Sequence, residues 1–304
     1  MNNNYNIYQK YKHDEFLLSK IPEWYNKQIE NIIVSGYYEI ENKRPSSHFK
    51  EWIKNFFYLK SPKVIFTCKK TFTNVFENLY NFNCIQTNLF YFNSKINSLF
   101  VIQELEDTFI WKNYKNLMEM SVKLDKEIHN GVNHNKYLYT IWNNKSFWIK
   151  QATSLIPADS YYWTDIGCIR TISTPEIQNF ISSLNFVKRN DKKILLGCIE
   201  NFKIIDNQTV DSIPYIYYNN GNVIRIQGGF FGGGKKEIIE WCNLYIQELN
   251  LFQKFKIFSG KDQYIMGSIY LRYKNKFELF FPSLYIFDNH ICHDNWFKFI
   301  HIYS

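Results

Sequence analysis

The clearest β-strand in the sequence covers residues 32 to 40 and reads Ile32-Ile33-Val34-Ser35-Gly36-Tyr37-Tyr38-Glu39-Ile40. Its first half is an unbroken apolar, β-branched run, which is typical of a strand buried on both faces of a parallel sheet. Two more short apolar strands follow at Lys63–Thr67 and Ser98–Ile102, and residues 48–58 and 71–79 have helical spacing of apolar side chains. This alternation predicts an α/β fold with a central mixed sheet flanked by helices.

The rest of the chain also contains both predicted helices and predicted strands. Helices are predicted over residues 109–125, 137–152 and 236–252, and short strands over residues 161–170, 193–198 and 223–226. There is no internal repeat and no linker rich in Pro or Ser. We therefore expect an N-terminal arm over residues 1–30 and one continuous domain over residues 31–304.

Composition and charge limit the class of protein. The 304 residues are 45% hydrophobic and 21% charged, which supports a sizeable core and excludes disorder over the whole length. The net charge of +8 suits an anionic partner, but the lysines are scattered rather than gathered in one patch, as a nucleic-acid reader would need. The high aromatic share of 19% is most simply a product of an AT-rich genome.

The six cysteines include no CxxC pair, so we expect no zinc knuckle and a reduced, cytoplasmic protein. The first residues, MNNNYNIYQKYKHDE, are polar and do not resemble a secretory signal. No apolar run reaches the length of about 18 residues that a membrane span requires.

Asp165 is the most informative single residue. It follows the aromatic run Tyr161-Tyr162-Trp163-Thr164, and open α/β sheets bind their ligands at the carboxyl ends of strands. A carboxylate there can hold a hard divalent cation, which in turn can hold a diphosphate. An Asp that only caps a turn is an equally acceptable interpretation of the spacing.

A glycine cluster follows later in the chain, Gly228-Gly229-Phe230-Phe231-Gly232-Gly233-Gly234, and contains five of the 12 glycines. It lacks the spacing of a P-loop or of a dinucleotide fingerprint. Its alternation of glycines and aromatics favours a backbone that lies flat under a sugar or a ring, with a flexible loop as the alternative.

Two further groups are candidates for chemistry. Asp262-Gln263 could orient sugar hydroxyls, or Asp262 or Ser259 could simply be the N-cap of the helix that follows. His293 could be a metal ligand, although a lone histidine in an aromatic tail is more often packed or exposed.

Taken in order, these motifs resemble the HtrL/YibB (WlaTC/HtrL) family of glycosyltransferases over residues 31 to 300. Seven blocks of sequence carry the resemblance: Gly36-Tyr37-Tyr38-Glu39-Ile40, His48-Phe49-Lys50-Glu51-Trp52, Val64-Ile65-Phe66-Thr67, Tyr139-Thr140-Ile141-Trp142-Asn143-Asn144-Lys145, Trp163-Thr164-Asp165-Ile166-Gly167-Cys168-Ile169-Arg170, Gly228-Gly229-Phe230-Phe231-Gly232-Gly233, and Gly260-Lys261-Asp262-Gln263. The family looks like a branch of the GT-A superfamily, with one Rossmann-like domain that binds a nucleotide sugar, often for surface-polysaccharide synthesis.

The resemblance also implies roles for individual residues. Asp165 matches the first carboxylate of an Asp-x-Asp pair that holds Mn²⁺ or Mg²⁺, while Gly167 stands where the second would be. His293 would be a late metal ligand, and Asp262 and Gln263 would act on the transferred sugar. The donor, most simply a UDP-sugar, would be bound by a larger set: Tyr37, Tyr38, Lys145, Arg170, Gly228, Gly229, Phe230 and Lys261.

The resemblance implies a glycan or protein acceptor and no nucleic-acid partner. Two other interpretations stay open from the sequence. The missing second carboxylate fits an inactive family member that only binds a glycan or nucleotide, and the basic charge fits a nucleic-acid-binding protein.

Overall fold

The computed structural model describes residues 29–40, 46–78, 90–170, 192–218 and 223–281. Apart from Ile29 and Glu30, the predicted N-terminal arm lies outside the described residues. The same holds for His293 and for Cys84 and Cys292. The four described cysteines, Cys68, Cys168, Cys198 and Cys242, are free thiols.

Ten strands are present in the described parts of the chain: β1 Asn31–Gly36, β2 Lys63–Thr67, β3 Phe90–Asn93, β4 Ser98–Ile102, β5 Ser160–Thr164, β6 Ile194–Cys198, β7 Thr209–Val210, β8 Ile213–Pro214, β9 Ile226–Gly234 and β10 Phe277–Phe280. Eight of them form one sheet in the order β10-β6-β9-β5-β1-β2-β4-β3, and β7 and β8 form a separate hairpin. The pairs β1–β2, β1–β5, β2–β4 and β6–β10 are parallel, whereas β9 is antiparallel to both β5 and β6. The predicted mixed sheet is confirmed.

The helices connect and cover these strands: α1 Ser46–Phe56, α2 Lys69–Thr71, α3 Phe109–Leu124, α4 Lys126–His129, α5 Lys136–Leu155, α6 Tyr215–Tyr218, α7 Lys235–Lys254 and α8 Asp262–Arg272. The α2 turn continues as a π-helix over Phe72–Glu77. None of the helices in the described segments combines the length and the apolar character needed to cross a bilayer.

The sheet separates two hydrophobic clusters. Successive side chains of a strand point to opposite faces, so Ile32 and Val34 of β1 join one cluster and Ile33 joins the other. Helices α3, α5, α7 and α8 supply the first cluster, and α1 with the π-helix supplies the second. The α/β class, with helices flanking a central sheet, is therefore confirmed.

The sequence-based boundaries hold for β2 and β4 but not everywhere. The first strand ends at Gly36, and residues 37–40 form a loop at the carboxyl end of this central strand. The strand predicted over residues 223–226 is wrong, because β9 begins at Ile226 and runs through the glycine cluster itself.

A Cβ on Gly232 would lie 2.3 Å from the Tyr161 carbonyl oxygen, so only glycine lets β9 lie this close to β5. The flexible-loop interpretation of the cluster is thereby excluded.

Candidate functional site

The carboxyl ends of the two central parallel strands lie side by side. In the β1–β5 pair Val34 is opposite Trp163, and the Ser35 hydroxyl donates to the Thr164 carbonyl at 2.6 Å. Asp165, the residue after β5, is therefore next to the loop that begins at Tyr37. This is the edge at which open α/β sheets bind ligands.

Lys145, on α5, joins two carboxylates at this edge. Its ammonium lies 3.1 Å from Asp165 Oδ1 and 3.1 Å from Asp262 Oδ2. We refer to these three residues as the Lys145 cluster. The side chains of Lys145 and Asp262 are only 6% and 4% exposed, whereas that of Asp165 is 35% exposed. Asp165 is thus the most exposed member of the cluster.

Burial and charge act against each other in the Lys145 cluster. Burial alone would lower the pKa of Lys145, but the charges of Asp165 and Asp262 outweigh it and raise the pKa above its ordinary value. Burial raises the pKa of Asp262, and the negative charge of Asp165 adds to this, against the opposing effect of Lys145. Lys145 therefore stays charged, and Asp262 is a stronger proton acceptor than an ordinary aspartate.

Strand β9 forms the floor beneath Asp262. The Gly228 carbonyl accepts a hydrogen bond from the Lys145 ammonium at 2.8 Å, and the Gly229 carbonyl accepts one from the Asp165 backbone N–H at 3.0 Å. The indole of Trp163 donates to Asp165 Oδ1 at 2.8 Å. Four residues from α5, β5 and β9 therefore surround the two carboxylates: Lys145, Trp163, Gly228 and Gly229.

Gly228 has no room for a side chain, which gives a first testable prediction. A Cβ at Gly228 would lie 2.6 Å from both carboxylate oxygens of Asp262. We expect Gly228→Ala to displace Asp262 and to lower turnover by roughly tenfold or more, with an overpacking cost of about 1–3 kcal/mol. Steady-state kinetics and thermal melting measure the two effects.

Gly233→Ala is the matched control on the same strand. Its Cβ would meet the Ile194 Cδ1 atom and the Lys193 carbonyl oxygen at 3.1 Å, far from Asp262. It should lower the melting temperature without a matching loss of turnover. If both variants lose turnover in proportion to stability, Gly228 is needed only for folding.

Asp262 opens α8 but does not cap it. The N-cap residue is Lys261, whose side chain makes no capping bond, so the interpretation of Ser259 or Asp262 as N-cap is wrong. The Asp262 carboxylate is turned towards Lys145 instead, and its Oδ1 also accepts the Gln263 backbone N–H at 3.0 Å. Gln263 is half-buried beside it.

The three aromatic residues predicted to contact the donor are all packed. The Tyr38 ring stacks on Trp148 at 5.3 Å, and its hydroxyl donates to the Gln103 carbonyl at 3.0 Å. Tyr37 lies in the opposite cluster, where burial and then the charge of Glu39 raise its pKa to about 12. The Phe230 ring is fully buried. Their roles towards a donor stay predictions.

The two other predicted cations have protein neighbours. The Lys261 ammonium lies 2.5 Å from Glu127 Oε1 and is 8% exposed. The Arg170 guanidinium lies 4.7 Å from the centre of the Trp52 ring, in a cation–π contact, and is half-buried. The donor contacts of both residues also stay predictions.

Gly167 supplies no second carboxylate, and its backbone lies close to the Trp52 ring. A Cβ at that position would lie 3.3 Å from the Trp52 ring, so a side chain there would enter an aromatic contact. Asp165 alone therefore faces solvent at the end of β5. The residues fit a cation shared between one carboxylate and the oxygens of a bound diphosphate, as is common for Mg²⁺. They do not form a site with two protein carboxylates from this strand end.

A second group of possible metal ligands lies near Lys261. Within the described residues, Asp125, Glu127 and His134 offer ligand atoms within 4.8 Å of one another and could hold a metal ion. These side chains already form hydrogen bonds or ion pairs with each other and with neighbouring residues. His134 Nδ1 lies 2.8 Å from Asp125 Oδ2, and Glu127 pairs with Lys261.

The sequence pattern did not identify two residues that shape the site. Trp163 holds Asp165 through its indole, and Asn143 holds the segment before Asp262. Both lie in blocks quoted above, but neither residue type marks such a role without coordinates.

Comparisons with known proteins find similarity among solved structures. No family model matches the chain, and no curated protein matches it. Among solved structures, it is similar to core-mannan synthase A (CmsA/Ktr4) from Aspergillus fumigatus, described as the Mn/GDP-form. The sequence identity is 10%, the TM-score is 0.39, and the match covers 83% of this chain and 72% of that chain.

Proposed function

We propose that this chain is a glycosyltransferase of the HtrL/YibB type, which moves a sugar from a nucleoside-diphosphate donor to a glycan or protein acceptor. The observation that carries the proposal is the Lys145 cluster, in which two carboxylates and a buried ammonium meet at the carboxyl end of β5. Such an edge suits a nucleotide ligand. A UDP-sugar donor, a cytoplasmic location and a part in polysaccharide synthesis belong to the same proposal.

Asp165 is the residue that would hold Mn²⁺ or Mg²⁺ together with the donor diphosphate. Its side chain is the exposed member of the cluster, and Trp163 and Lys145 hold its Oδ1 in place. The cation supplies positive charge that neutralises the leaving diphosphate. Arg170 and Lys261 are the proposed further contacts for phosphate oxygens, and His293 is a proposed second metal ligand.

Asp262 is the proposed base for an inverting transfer. Its carboxylate accepts the proton of the acceptor hydroxyl as that oxygen bonds to the anomeric carbon. The bond from the anomeric carbon to the diphosphate oxygen breaks, and the diphosphate leaves with the electron pair. The Gln263 side-chain amide forms a hydrogen bond with a sugar hydroxyl. A retaining transfer needs no such base, and the anomeric configuration of the product distinguishes the two.

A donor-hydrolysis assay tests the proposal. Purified protein is incubated with UDP-, GDP- and TDP-sugars in Mn²⁺, in Mg²⁺ or in EDTA, and the released nucleotide is measured. We expect turnover of one donor class that depends on the cation. Binding without turnover would support the inactive glycan- or nucleotide-binding member instead. Binding of nucleic acid that weakens steeply with salt would support the third interpretation.

A further inference from the structure

A buried amide holds the segment that leads into α8. Asn143, which is fully buried on α5, directs its Nδ2 at the Ser259 carbonyl at 3.0 Å and at the Gly260 carbonyl at 3.1 Å. Asn143 lies on the same helix as Lys145, which pairs with Asp262. One helix therefore holds both the segment and the carboxylate that follows it.

The orientation of this amide is set by its neighbours. Nδ2 is surrounded by carbonyl oxygens, because it also lies 3.0 Å from the Tyr139 carbonyl, and carbonyls can only accept hydrogen bonds. The Tyr245 hydroxyl donates to Oδ1 at 2.8 Å. Every polar atom of the amide thus has a partner, and the reversed amide would face Ser259 and Gly260 with an oxygen.

Other contacts hold the same segment from different directions. The Ser121 hydroxyl of α3 accepts the Ser259 backbone N–H at 3.2 Å. At Gly260, a Cβ would lie 2.9 Å from the Tyr139 ring, so the backbone lies directly on α5. Burial of so many polar groups with partners is typical of a segment whose position matters.

We infer that Asn143 is a positioning residue, which sets the backbone of residues 259–260 so that Asp262 meets Lys145 above Gly228. The inference rests on the proposed function for its catalytic meaning. A displacement of about 1 Å at a reacting group can cost roughly 10²-fold in rate. Asn143 contacts no proposed substrate, so its effect should fall on kcat and leave the donor KM nearly unchanged.

The test compares Asn143→Asp with a control on the same helix. Asp keeps the size and the acceptor for Tyr245 but replaces the amide donors with an oxygen that faces three carbonyls. We expect kcat to fall roughly 10²-fold, with the donor KM within about threefold. Ser146→Ala removes one buried hydrogen bond, from the Trp241 indole, and touches no part of residues 259–262. It should lower the melting temperature and keep kcat.

Ser121→Ala is the second variant, for use if Asn143→Asp does not fold. It removes the hydrogen bonds of the Ser121 hydroxyl with the backbone N–H and the side-chain hydroxyl of Ser259, and we expect a roughly tenfold lower kcat at an unchanged fold. If either folded variant keeps the wild-type kcat, or if Ser146→Ala loses as much kcat as they do, the inference is overturned.

Hydrogen exchange separates this inference from the proposed function. In the folded variants, exchange at the Gln263 N–H, which donates to Asp262 Oδ1, should accelerate, while exchange in α7 should not. Wild-type protein without donor turnover would refute the proposed function, and the exchange comparison would still decide the role of Asn143. Unchanged exchange at the Gln263 N–H in Asn143→Asp overturns the positioning role of Asn143.

Discussion

Asp165→Asn is expected to lose cation-dependent donor turnover by about 10³-fold while the protein keeps its fold. The amide preserves the shape of the side chain but removes the charge that attracts a hard cation. The Trp163 indole can still donate to the remaining oxygen, and Lys145 keeps its contact with Asp262. Nucleotide release from the donor, measured over a range of Mn²⁺ concentrations, reports the loss.

Asp159→Asn is the matched control for that measurement. Asp159 is an exposed residue next to the opposite end of β5, and its substitution makes the same chemical change away from the site. It should keep full turnover. Wild-type turnover that persists in EDTA, or an Asp165→Asn protein as active as the control, would remove the metal role from Asp165.

The fold was predictable where local sequence dominates. The apolar runs of β2 and β4 predict strands whose bounds agree with the structure, because a short buried strand is marked by its own side chains. The extent of β9 was not predictable in this way. Its glycines have low strand propensity, and they are accommodated because β5 lies so close that side chains would collide.

The candidate site was predictable only in part. The strand-end position marked Asp165, and the glycine-rich floor was placed near it. The pairing of Lys145 with two carboxylates depends on the packing of α5 against β5 and α8, which no local pattern contains. From the sequence, Lys145 is one cation among many, predicted to bind the donor rather than to pair with two aspartates.

The sequence does contain a signal for the α5 residues that hold the site. Asn143, Asn144 and Lys145 form a polar run in α5 between the apolar pairs Ile141-Trp142 and Phe147-Trp148, and all three are buried. Buried polar residues are costly unless they have partners, so such a run indicates partners elsewhere in the chain. The sequence cannot say that these partners are the Ser259 and Gly260 carbonyls and Asp262.

Asp262→Asn should separate a role in catalysis from a role in folding. Asn keeps the acceptor for the Gln263 N–H, and Lys145 keeps its ion pair with Asp165. The variant should therefore melt within a few degrees of the wild type. It cannot accept a proton, so transfer should fall by roughly 10²–10⁴-fold.

The pH dependence of transfer gives an independent test of Asp262 as the base. Burial raises the pKa of Asp262, so the carboxylate takes up a proton at a higher pH than an ordinary aspartate. Transfer needs the ionised form, and the acid limb of the rate profile should therefore lie above the usual aspartate value of about 4. This limb should be missing from the residual activity of Asp262→Asn. A variant with full activity and an unchanged acid limb would show that Asp262 serves the fold, and Asp165 would be left as the carboxylate that acts on the donor.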